Sequence, residues 1–135
     1  MNNIDNHKNK KSFSLWEGFR MGIAAILALL IGIMSVVSGS MVLLNYNIPS
    51  YNVLNWLVVY NVILGGISLV AAILIWKNNK SARKITLAIL ISHLLVFLYL
   101  YFISREVALE SIKAMGFRVS VWTVVFLLTY KKINN

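Results

Sequence analysis

The stretch Ile112–Tyr130, IKAMGFRVSVWTVVFLLTY, is a hydrophobic run that carries one arginine, Arg118, and its reading decides the fold. As a helix rising 1.5 Å per residue and ending at Tyr130 in a membrane interface, it places Arg118 roughly 18 Å from that edge. A hydrocarbon core is about 30 Å thick, so the guanidinium lies roughly 12 Å below the opposite edge, a depth it partly recovers by snorkelling. Charge at that depth is costly. An ionisable residue there marks a site, and its partner has to be sought in the rest of the chain.

The totals agree with a membrane setting. Of 135 residues, 59% are hydrophobic and 13% charged, and the mean hydropathy is +0.76, too apolar for an ordinary soluble domain. The net charge of +9 would suggest nucleic acid in a soluble protein. Here the basic residues sit at the ends of apolar runs, which is the positive-inside distribution rather than a basic groove, so no nucleic-acid partner is predicted. The absence of cysteine excludes disulfides, thiolate metal sites and thiol catalysis. One proline and seven glycines leave no low-complexity linker. The reading is therefore a disordered basic cytoplasmic tail over 1–13, in which His7 is solvated, followed by one membrane domain over 14–135.

Ser14, Leu15, Trp16 and Glu17 match a capping box, in which serine and glutamate each satisfy a free N–H, and this predicts a helix start at Ser14. Four apolar runs follow, at 21–44, 53–76, 85–103 and 112–130, each long enough to cross a bilayer. They predict an all-α, integral membrane four-helix bundle. In the first run Ala24, Ala28, Gly32, Ser35 and Gly39 recur at steps of three and four, and in the second Asn61, Gly65, Ser68 and Ala72 do the same. Such ridges let two helices approach closely, which is what holds helices together in lipid. A signal peptide is the competing reading of the first run. The run is long for one, and its ridge continues through the Ser38-Gly39-Ser40 cleavage-like triplet, so it is read as a retained span.

Orientation follows from the loops. Asn45–Asn52 is uncharged, contains Pro49, and is flanked by the aromatic belt of Tyr46, Tyr51 and Trp56. Lys77–Lys84 carries Lys77, Lys80, Arg83 and Lys84 with no acid. Of the 13 basic residues only Arg105, Lys113 and Arg118 fall on the outer side, which puts both termini in the cytoplasm of a multi-pass inner (cytoplasmic) membrane protein. Small multidrug transporters, DoxX-like proteins and the membrane glutathione-metabolism family share this outline, but their motifs are not present. The first of these uses an acid within its first span, whereas Glu17 precedes the apolar run here.

Two readings compete for the polar residues of the spans. In the first, Arg118 reaches out to Glu106 or Glu110 as a structural ion pair. In the second, Asn61, His93 and Arg118 line one cavity between the second, third and fourth spans, and Trp122, one turn from Arg118, stacks on the guanidinium. That cavity would suit an anionic or carbonyl-bearing ligand such as a quinone, a lipid or an organic acid. His93 has no second strong ligand in the spans, so no metal or other cofactor is predicted. The spans also hold no acid with which to build an acid–base pair. The chain therefore reads as a non-catalytic bundle acting as a membrane-complex subunit or small-ligand binder, with a small transporter or carrier as the alternative. Its predicted partners are membrane lipid and a membrane protein, either a second copy or another chain.

Overall fold

The computed structural model describes residues 2–105 and 107–133, and the side chains among them except those of residues 2, 9–14 and 131–133. Four helices follow one another: α1 (Asn2–Leu43), α2 (Asn55–Trp76), α3 (Ser81–Phe102) and α4 (Leu109–Ile133). Within them Leu15–Leu43, Asn55–Trp76, Ser81–Phe102 and Leu109–Tyr130 are long and apolar enough to cross a membrane. α1 packs on α2 and α4, and α3 packs on α4 and α2, so the helices form a ring in chain order. Short loops make neighbours antiparallel. One end of the bundle carries the α1–α2 loop and the α3–α4 connection; the other carries the α2–α3 turn.

The start of α1 differs from the sequence reading. The helix runs back through the expected tail to Asn2 and does not begin at Ser14. No glycine precedes Gly18 and no proline precedes Pro49, so nothing in the polar segment interrupts a helix already nucleated beyond it. Asp5 lies near the N-terminus, where the helix dipole favours negative charge.

Burial is arranged inside-out relative to a soluble bundle. The core is rich in small residues (Ala24, Ala28, Ala71, Ala72 and Ala82), with Ile75, Ile89 and Trp122 filling the wider gaps. Large apolar side chains such as Ile26, Leu30, Ile63, Leu95, Phe117 and Leu127 point outward. A water-facing surface does not hold so much contiguous apolar area, whereas a lipid-facing one requires it.

Close approach is greatest between α1 and α2. A Cβ at Gly65 would stand 2.9 Å from the Cβ of Ser35 and 3.1 Å from the carbonyl oxygen of Gly32. A Cβ at Gly32 would stand 3.0 Å from the carbonyl oxygen of Gly65, and one at Gly39 would run into Val62. Ala24, Ala28, Ser35, Ser68 and Ala72 of the same ridges are all buried. Gly22 and Gly66 meet nothing within 4 Å.

Helix ends fix the loops. Asn45 and Asn78 adopt positive φ, 60° and 54°, just beyond α1 and α2. The following N–H groups, of Tyr46 and Asn79, then donate back to Met41 and Leu74, which closes a Schellman-type end at each helix. Asparagine tolerates this left-handed conformation better than most residues. Asn79 Oδ1 next accepts from the Ser81 N–H at 2.9 Å and starts α3. At this end two arginines hold α4. Arg20 of α1 donates to the carbonyls of Leu128 (3.1 Å) and Leu127 (3.4 Å), and the Arg83 guanidinium of α3 lies 4.4 Å from the Tyr130 ring centre. Both cations sit by the C-terminal end of α4, where the helix dipole is negative.

Candidate functional site

Arg118 belongs to the inward stripe of α4. Met115, Trp122, Val125 and Thr129 of that stripe are fully buried, and their spacing turns Arg118 toward the bundle rather than toward lipid. Its Nε donates to Ser35 Oγ of α1 at 3.4 Å. Ser35 is also the residue that faces Gly65, so the absence of a side chain on α2 makes room for the α1 hydroxyl that Arg118 reaches. No described residue accepts from the two terminal nitrogens of the guanidinium.

A pocket of about 200 Å³, half-open at the α1–α2 loop end, lies among α1, α2 and α4 with Arg118 in its wall. Ser38 and Gly39 of α1, Leu57 and Asn61 of α2, and Ser111 of α4 form its sides, and Asn47 and Tyr51 of the loop stand at its mouth. Among the described residues no acidic residue lines it. The Ser38 hydroxyl donates to the carbonyl of Met34 at 2.6 Å and is spent within its own helix. Asn61 Oδ1 is buried and has no hydrogen-bond partner among the described residues.

The structure thus brings Asn61 and Arg118 to one cavity, which lies between the first, second and fourth helices rather than the second, third and fourth. His93 is outside that wall. It is buried on α3 and pairs with Tyr60 of α2, Tyr60 Oη to His93 Nδ1 at 3.3 Å, with the rings edge to face at 5.7 Å. Arg118 is near enough for its charge to act on both. Trp122 does not stack on Arg118 in the pocket. Its ring fills the core beside α1 and α2 alanines, and its Nε1–H has no partner among the described residues. Glu110 is exposed, Glu106 lies outside the described residues, and among the described residues no carboxylate pairs with Arg118. Among the described residues no group of histidine and acid could hold a metal ion.

Ser35, read from the sequence as a packing residue, and Ser111, Asn47 and Tyr51 were not among the residues expected at the site. Ser35 had a signal: it is the one hydroxyl on the Ala24–Gly39 ridge, and a deep arginine needs an acceptor. The other three are loop and helix-end residues whose convergence depends on how the helices are arranged around the ring. The chain matches no protein-family model, no curated protein and no solved structure. Its functional reading therefore comes from the site itself.

Proposed function

We propose that the protein is a non-catalytic, multi-pass bundle of the cell inner (cytoplasmic) membrane that binds the anionic or carbonyl end of a small ligand at Arg118. Both termini and the Lys77–Lys84 loop face the cytoplasm, so the pocket opens on the outer side. One observation carries the binding reading: among the described residues the guanidinium has a single hydroxyl as partner, and it stands in the wall of a pocket that no described acidic residue lines. A planar fork of N–H donors left free at a low-dielectric wall favours carboxylate or phosphate, which can engage two of them at once.

The chain has no cysteine, so single-cysteine variants report one position each. Ser50→Cys in the outer loop, Ser81→Cys in the inner turn and Ser111→Cys in the pocket wall are treated in intact cells with membrane-impermeant methanethiosulfonates. One reagent bears a sulfonate and the other a trimethylammonium group. Positions 50 and 111 are expected to react, and position 81 only after permeabilisation. At position 111 the sulfonate reagent should react about ten-fold faster than the cationic one, relative to the ratio at position 50, as a nearby charge worth roughly 1–2 kcal/mol requires. Arg118→Gln should restore the position-50 ratio. Labelling of position 81 from outside would reverse the orientation, and equal rates at position 111 would remove the anion site.

A further inference from the structure

Two side chains give the pocket wall a fixed polarity, and both present donors. Arg118 carries terminal N–H groups that no described residue accepts, and Nδ2 is the accessible atom of the Asn61 amide. Asn61 Oδ1 is sealed inside the bundle and cannot serve an occupant. The Ser111 and Tyr51 hydroxyls rotate to suit a donor or an acceptor, so they select neither. The wall therefore asks for lone pairs, and among the described residues no carboxylate supplies them.

The supply of lone pairs sets the class of occupant. A ketone or quinone brings one oxygen per carbonyl and no charge to offset the guanidinium. A carboxylate brings two oxygens with about four lone-pair sites, and a phosphate monoester adds another oxygen. The pocket, at about 200 Å³, suits such a head and is below the roughly 300–1,000 Å³ of pockets that enclose a whole drug-sized molecule. We infer that the occupant is an oxyanion with at least two terminal oxygens, a carboxylate or a phosphate, held by the Arg118 fork and Asn61 Nδ2 together, and that a single neutral carbonyl is not the ligand. This rests on the reading of Arg118 as a binding group. Two sources share the chemistry: the head of an anionic lipid, and a soluble carboxylate or phosphate ester.

The same amide works against the fold. Its Oδ1 is a buried acceptor without a described partner, which destabilises, and leucine of similar shape removes that atom. Replacement of Asn61 by leucine should therefore weaken binding without weakening the bundle, which loss of a packing residue does not do.

Matched probes test this on the purified full chain in a non-ionic detergent. In the lipid arm, native mass spectrometry compares dodecanoate and dodecyl phosphate with the methyl ketone of the same tail. In the soluble arm, calorimetry compares butanoate and propyl phosphate with the corresponding short methyl ketone. In whichever arm holds the natural source, the better oxyanion is expected to bind at least about ten-fold tighter than the ketone, and Arg118→Gln should abolish its binding. Asn61→Leu and Asn61→Ala should each weaken the oxyanion about ten-fold, with the leucine variant unfolding at or above the midpoint of the unaltered chain. Leucine fills and alanine empties the same space, so a loss common to both belongs to the donor. Arg118-dependent binding that either Asn61 variant leaves intact overturns this inference and leaves the Arg118 site standing. A ketone bound as tightly as the oxyanions on the unaltered chain does the same, and so does a leucine variant that loses stability along with binding. Absence of Arg118-dependent binding in both arms overturns both.

Discussion

Gly65→Leu is expected to destabilise the bundle by about 2–3 kcal/mol or more, read as unfolding in detergent, because the obstacle at that position includes a backbone atom. A Cβ alone would meet Ser35, Val36 and the Gly32 carbonyl oxygen at 2.9–3.1 Å, and leucine adds three more carbons. A flexible side chain can swing aside, but the Gly32 carbonyl moves only if α1 moves. Lipid supplies no hydrophobic drive to bring the helices back together, so the lost packing is not recovered elsewhere. The same substitution displaces Ser35, the partner of Arg118, so the anion preference in the pocket should fall with stability. Gly66→Leu is the control. Its neighbour position faces open space, and the change should stay within about 0.5 kcal/mol. Equal losses at 65 and 66 would mean that the α1–α2 seam is not where the bundle is held.

Trp122 carries the second large effect. It is the largest fully buried side chain, set among small α1 and α2 residues that cannot expand to fill a void. Trp122→Ala should cost about 3–5 kcal/mol. Trp122→Phe should cost less than half as much, because the ring bulk is mostly kept and the indole N–H that is lost has no hydrogen-bond partner. Comparison of the two midpoints in one detergent checks this. A phenylalanine variant as unstable as the alanine one would place a hydrogen bond on Nε1 that the structure does not contain.

The helices were legible because a bilayer imposes length and apolarity on each span separately, and both can be counted along the chain. The steps of Gly32, Ser35 and Gly39, and of Gly65, Ser68 and Ala72, were legible for a related reason: periodicity defines a face before any partner is known. The order of helices around the ring was not. Loop length says that neighbours are antiparallel, but not whether α1 or α3 stands beside Arg118, and the pocket changed walls on that choice. Trp122 shows the limit within a single helix. Spacing put it one turn from Arg118, yet a side chain of that size is claimed by whichever space the alanines leave, and that space lies in the core. The capping signature at Ser14 is local, and a helix growing from its apolar part passed straight through it.

Whether Arg118 is a binding group or a structural tether is decided most directly by the unfolding free energy of Arg118→Gln, alone and combined with Glu106→Gln or Glu110→Gln. A buried ion pair that loses one member costs about 3–5 kcal/mol, and removal of the other member then recovers part of the loss. A guanidinium held by one hydroxyl at a pocket wall carries its own desolvation cost, and natural sites commonly give up stability for function. The binding site predicts that Arg118→Gln is within about 1 kcal/mol of the unaltered protein or more stable than it, with no recovery in either double variant. A loss of 3 kcal/mol or more that Glu106→Gln or Glu110→Gln partly restores would contradict it and make Arg118 a tether.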